Sequence, residues 1–88
     1  MSKTSVKRVA NLANNQVIIY LTNGSTIFNS YGVNIAERTK QGKIILDKKY
    51  WCYSYTTSKY RCEFLNERKA ETEKKIKEKI YKLADLNK

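Results

Sequence analysis

The sequence predicts a single α+β domain. An antiparallel meander of four or five β-strands is followed by a short helix and a longer C-terminal helix, both packed on the sheet. Residues 16–55 hold short β-branched or aromatic runs that are separated by turn signals. Residues 56–86 change to helical spacing and contain no Gly or Pro. The chain has 88 residues, which is the size of one domain.

Residues 1–15 carry three positive charges and no acid. We expect a partly disordered N-terminal arm with an extended piece from Lys7 to Leu12, because Asn14 and Asn15 form a natural break. A basic arm that becomes ordered on nucleic acid is the functional alternative.

The strongest turn signal is Asn23-Gly24, which follows the apolar run of residues 16–21. Asn-Gly suits the two positive-φ positions of a type I′ turn. Such a turn pairs Ile19 with Phe28 and Leu21 with Thr26. It therefore predicts that Ile19, Leu21 and Phe28 share the face that packs on the core.

Two further strands are predicted at residues 33–39 and 43–46, on either side of a tight turn at Lys40-Gln41-Gly42. Residues 50–55 alternate as another strand would, with Trp51, Tyr53 and Tyr55 on one face. The predicted core consists of the large apolar residues on the inner faces: Ile19, Leu21, Phe28, Val33, Ile35, Ile44, Leu46, Trp51, Phe64, Ile76, Ile80 and Leu83.

Two helices are predicted after the sheet. Thr56, Thr57 and Ser58 provide caps for the first helix. Asn66 provides a cap for the second, over residues 67–84, in which acids come first and lysines follow, as suits a helix dipole. Because acids are interspersed among its lysines, this helix is more typical of a solvated face than of a groove-reading helix.

The net charge is +10, from 18 Lys and Arg against 8 Asp and Glu. Such an excess favours an anionic partner, because neutralising phosphates releases counterions. A basic, solubilising surface with no specific partner is the alternative. With no histidine in the chain, a neutral-pH base would have to be a shifted carboxylate or lysine. We therefore expect a non-enzymatic protein without a cofactor.

Two cysteines, Cys52 and Cys62, are expected to be free thiols of an intracellular protein, since neither a secretory signal nor a membrane-length apolar run is present. Their spacing fits no zinc pattern, so no metal site is predicted. They also lack the histidine partner that activates a nucleophilic cysteine.

Residues 50–65 contain six of the ten aromatic residues, interleaved with basic residues. Rings that stack on bases and cations that follow phosphates together suit single-stranded nucleic acid. The structural alternative is that Trp51, Tyr53 and Phe64 form the core. The candidate binding residues are those at the rim of this stretch: Lys48, Lys49, Tyr50, Tyr55, Lys59, Tyr60 and Arg61.

Scattered motifs resemble small phage-encoded proteins of uncharacterised function. These motifs are the Asn23-Gly24 hairpin, Phe28-Asn-Ser-Tyr-Gly32, Trp51 with Tyr53-Ser54 and Thr56-Thr57, and Phe64-Leu65. The resemblance covers residues 16–87 and implies a phage protein that acts in the cytoplasm of a bacterial host. It implies no activity, and it identifies no functional residue in this chain.

Two functions are expected from these observations. The first is a phage binding protein whose basic surface engages nucleic acid or a nucleic-acid-bound host complex. The second is an inhibitor of a host defence protein, of the anti-CRISPR or another anti-defence type, that acts through protein contacts. A small module that self-associates through a strand edge is a third possibility.

Overall fold

The computed structural model describes residues 5–87 and contains a six-stranded sheet with two helices on one face. The strands lie in the sheet in chain order, and all neighbours are antiparallel except the last two, which are parallel. This confirms the α+β meander followed by two helices. In chain order the elements are β1 (Val6–Ala13), β2 (Gln16–Leu21), β3 (Thr26–Ser30), β4 (Val33–Arg38), β5 (Ile44–Asp47), α1 (Tyr55–Leu65), α2 (Lys69–Lys77) and β6 (Lys82–Ala84).

The N-terminal segment forms an edge strand. β1 pairs with β2 along its whole length, and Asn15 provides the positive φ of 61° in the turn between them. The extended piece predicted for residues 7–12 is therefore part of a paired strand. The predicted disordered start falls on positions 1–4, which lie outside the described residues.

The first predicted hairpin register was wrong by one residue. Ile18, not Ile19, pairs with Phe28, because the loop has three residues. Gly24 N–H donates to the Leu21 carbonyl, and Gly24 has a φ of 90°. This is a type I turn followed by a glycine bulge, the common three-residue hairpin loop. A one-residue slip exchanges the two faces, so Ile19 and Leu21 lie opposite to the helices.

The second tight turn has the same geometry. Thr39 and Lys43 pair across a three-residue loop, in which Gly42 N–H donates to the Thr39 carbonyl at 2.8 Å. Gly42 has a φ of 88°. The predicted turn is confirmed, and it leaves Ile44 and Leu46 on the core face as expected.

The core lies between the sheet and the helices. Phe28, Ile35, Ile44, Leu46 and Phe64 are buried there as predicted, and Phe28 and Phe64 stack with centroids 5.9 Å apart. Of the other predicted core residues, Val33, Trp51 and Ile76 are partly buried against this cluster, whereas Ile80 and Leu83 are 61% and 40% exposed.

The strand predicted at residues 50–55 is absent from the described structure. Residues 48–54 form a turn-rich loop, and Ser54 caps α1 by accepting from the Thr57 N–H, two residues before the first predicted cap, Thr56. Asn66 is not a helix start. It adopts a φ of 56° at the end of α1, where Glu67 N–H donates to the Cys62 carbonyl in a Schellman motif.

The long C-terminal helix was also predicted wrongly. α2 ends at Lys77, and Lys79 adopts a φ of 62° while Ile80 N–H closes the last turn on the Lys75 carbonyl. The chain then returns to the sheet as β6. Glu67 fixes this return, because its carboxylate accepts from Lys75 Nζ at 2.9 Å and from the Tyr81 hydroxyl.

Candidate nucleic-acid interface

The loop between β5 and α1 is held by Asp47. This carboxylate is 1% exposed and accepts from the backbone N–H groups of Lys49 and Tyr50 at 3.1 and 2.8 Å. Its other oxygen accepts from Leu86 N–H and Asn87 Nδ2 at 2.8 and 3.0 Å. One buried side chain therefore fixes both the loop and the C-terminal segment.

Arg61 holds the same loop from the helix side. It was predicted at the rim but is fully buried, so it is not available to a ligand. Its guanidinium donates to the Trp51 carbonyl and to Ser58 Oγ, and it lies 5.1 Å from the centre of the Trp51 ring. Its role is to join α1 to the loop.

A groove of about 580 Å³ opens between this loop, α1 and the start of α2. We call it the tyrosine–lysine groove after four of its side chains, Tyr53, Tyr55, Lys59 and Lys69. Its described lining contains no acid, so its charge is positive. The other lining residues are Cys52, Ser54, Ser58 and Cys62.

The two tyrosines present rings to solvent. Tyr55 is 85% exposed and Tyr53 is 46% exposed. Tyr53 is oriented by an edge-to-face contact with Tyr50, with centroids 5.4 Å apart and an interplanar angle of 81°. Tyr55 is the first residue of α1, directly after the N-cap residue Ser54. Both rings are therefore attached to ordered backbone.

The predicted site residues do not form one surface. Tyr55 and Lys59 lie in the groove. Lys48, Lys49 and Tyr50 line a separate hollow of about 250 Å³, which also contains Asp47 and Asp85. The acids make this second hollow a weaker site for an anion.

Tyr60 lies outside both cavities. It is half-buried against the core, and Lys59 Nζ lies 5.4 Å from the centre of its ring. Lys59 thus lines the groove while its ammonium lies near the face of an aromatic ring.

Sequence reasoning missed part of the groove. Tyr53 was left out of the candidate binding residues because a role in the core was the favoured alternative, and Lys69 was considered only as part of a basic helix. The available signal was helical spacing: Tyr55, Ser58, Lys59 and Cys62 stand at i, i+3, i+4 and i+7, which places them on one face of a helix that begins at Tyr55.

A cluster of titratable groups with shifted pKa values lies away from the groove. Burial favours a higher pKa for Glu67, but hydrogen bonds from Thr72, Tyr81 and Lys75 outweigh it and lower the pKa. Burial and the bond to Glu67 raise the pKa of Tyr81. These side chains hydrogen-bond to one another and hold the chain where it enters β6. Their pKa shifts are therefore explained by a structural role.

Other kinds of site are not found in the described residues. Within positions 5–87, no three His, Cys, Asp or Glu side chains are grouped so that they could hold a metal ion. Both cysteines are free thiols. No helix in the described part of the chain has the length and apolar character needed to cross a bilayer.

Comparison with known proteins places the chain in a family. The model of a family of unknown function, DUF8033, matches residues 1–82, and the chain belongs to this family. The curated proteins and the solved structures give no match.

Proposed function

We propose that this protein is a non-enzymatic, phage-encoded binding protein that engages single-stranded nucleic acid, free or within a host nucleoprotein complex, through the tyrosine–lysine groove. The observation that carries the proposal is the pairing of two exposed tyrosines with two lysines in a groove without a described acid. Stacking on a tyrosine is possible for any base, so this arrangement favours binding with little sequence preference.

The charge distribution supports the same proposal. Within the described residues the single ion pair is that between Lys75 and Glu67, 2.9 Å apart, so the other described lysines and arginines have no carboxylate partner. The net charge of the chain is +10. A positive surface attracts a polyanion and gains affinity from released counterions. Duplex nucleic acid is a poorer fit, because its bases are already stacked on one another and are not available to the rings.

Equilibrium binding at two salt concentrations tests this function. We expect single-stranded DNA and RNA to bind more tightly than duplexes in fluorescence anisotropy titrations. Raising the salt from about 50 to about 200 mM should weaken single-strand binding by about tenfold, as for a few neutralised phosphates. Absence of binding at low salt, or binding that does not depend on salt, would contradict the proposal.

A second candidate function is inhibition of a bacterial defence protein through protein contacts. The observation that favours it is an aliphatic sheet face opposite to the helices, described below. Retention of a host protein after nuclease treatment and at high salt supports this function, because a nucleic-acid bridge does not survive those conditions.

A further inference from the structure

The sheet has an aliphatic face on the side opposite to the helices. The strand register places Val9, Ile19, Ile27, Glu37, Ile45 and Lys82 side by side, one from each strand, and we call these six the central row. Both helices complete the core around Phe28 on the other face. Val9 is 52% exposed, and Val6 beside it is 57% exposed.

The composition of β2 is typical of a strand covered on both sides. A strand with one solvent-exposed face alternates between apolar and polar residues. After Gln16, however, β2 has five apolar or aromatic residues in succession, Val17 to Leu21. Ile18 packs on the core, whereas Val17, Ile19 and Leu21 point to the opposite face. A contiguous aliphatic surface of this kind marks an interaction site.

Glu37 lies in the middle of this surface. Its cross-strand neighbours are Ile27 on β3 and Ile45 on β5. Within residues 5–87 its carboxylate has no hydrogen bond or ion pair, although the protein as a whole carries a net charge of +10. Covering an ionised carboxylate without a cation is costly. The row's own cation, Lys82, stands two strands away and makes no ion pair with Glu37. A partner that covers the row is therefore expected to bring a positive charge to Glu37.

The need for a cation at Glu37 helps to decide which kind of molecule covers the central row. A second copy of the chain would bring its own Lys82, but it would also bring another Glu37 and another charge of +10 to the contact. Nucleic acid would bring phosphates towards a carboxylate. A sheet face also presents no free backbone groups, so a bound segment must satisfy its own backbone hydrogen bonds. An α-helix does so internally, and helices on a sheet face are the arrangement already present on the other side.

We propose that this face binds an amphipathic α-helix of a partner protein, with one lysine or arginine in its apolar stripe that pairs with Glu37. From β1 to β5 the row spans four strand spacings, roughly 19 Å. A helix of about 13 residues covers that distance. The site is separate from the tyrosine–lysine groove, and it provides the second candidate function with a contact surface.

Selection from a random peptide library tests the proposal with the full chain as the target. From displayed peptides of about 16 residues, we expect enrichment of apolar residues at helical spacing, with Lys or Arg inside the apolar stripe. A Glu37→Lys target should reverse this charge preference towards Asp and Glu. Enriched sequences without a charge preference that follows position 37 would overturn the proposal.

Two matched variants locate the binding. Val9→Asp changes an exposed residue of the central row and should weaken the selected peptides at least about tenfold. Tyr31→Asp changes a residue that is 54% exposed in the turn between β3 and β4 and should alter affinity by less than about twofold. Equal binding by wild type and Val9→Asp would overturn the proposal. A dimer that Val9→Asp converts to a monomer in sedimentation would also overturn it, by assigning the face to a second copy.

Discussion

Replacing Asp47 with alanine is expected to lower the free energy of unfolding by about 4 kcal/mol, since each of its four partly buried hydrogen bonds contributes about 1 kcal/mol. The carboxylate accepts from four donors in two chain segments. A loss of this size is comparable with the whole stability of a small domain. Urea denaturation followed by circular dichroism measures it.

Asp85 provides the control for this change. It is exposed, and its carboxylate accepts from the Asn87 N–H at 2.9 Å. Asp85→Ala removes the same charge only two residues from the Asp47 network and is expected to cost less than about 1 kcal/mol. If the two variants unfold at the same urea concentration, the carboxylate of Asp47 does not hold the loop and the C-terminal segment together.

The same network predicts how stability depends on pH. Burial alone favours a higher pKa for Asp47, but its hydrogen bonds outweigh burial and hold the pKa below 3.8. A lowered folded-state pKa adds stability above the unfolded pKa, and this stability is lost as the pH falls through the folded value. Glu67, whose pKa is lowered from 4.5, acts in the same direction. Wild type should therefore lose stability below about pH 5, and Asp47→Ala should lose less.

Reversing the two lysine charges of the groove should weaken single-strand binding by at least about 30-fold at low salt, because two phosphate contacts become repulsive. The variant is Lys59→Glu with Lys69→Glu, and both positions are exposed, so the fold is expected to persist. The slope of log affinity against log salt should fall in magnitude by about 1.4, as about 0.7 is lost for each phosphate contact. Anisotropy titrations of wild type and variant measure both quantities.

The other predicted lysines provide a control of equal charge. Lys48→Glu with Lys49→Glu changes the net charge by the same amount, but these residues line the hollow that contains Asp47 and Asp85. We expect this pair to weaken binding by less than about fivefold, through long-range electrostatics alone. Equal losses in the two double variants would mean that total charge, and not the groove, determines affinity.

The sequence was sufficient for the meander because its signals are local. Both glycine turns, and the short apolar run of β5, act within a few residues. The hairpin register was missed because Asn23-Gly24 also suits a three-residue loop, in which Gly24 alone needs a positive φ. The predicted loop has two residues and the observed loop has three. This difference in loop length decides on which face of the sheet Ile19 lies.

The C-terminal half depends on contacts that are distant in sequence. Residues 50–55 alternate like a strand, but Asp47 binds them into a loop together with Leu86 and Asn87, about 40 residues away. The end of α2 has no Gly or Pro to mark it, and β6 exists because it pairs with β5. Arg61 looks like a surface cation in the sequence, and its contacts with the Trp51 carbonyl, the Trp51 ring and Ser58 Oγ explain its burial.

The central claim is that the tyrosine–lysine groove is where nucleic acid binds. Mapping amide chemical shifts of the full chain by NMR, during titration with a single-stranded oligonucleotide of about ten nucleotides, tests it most directly. We expect the largest changes at the residues that border the groove, which are 52–55, 58, 59, 62 and 69. Changes concentrated on the central row, or around Lys48 and Lys49 without the groove, would contradict the claim.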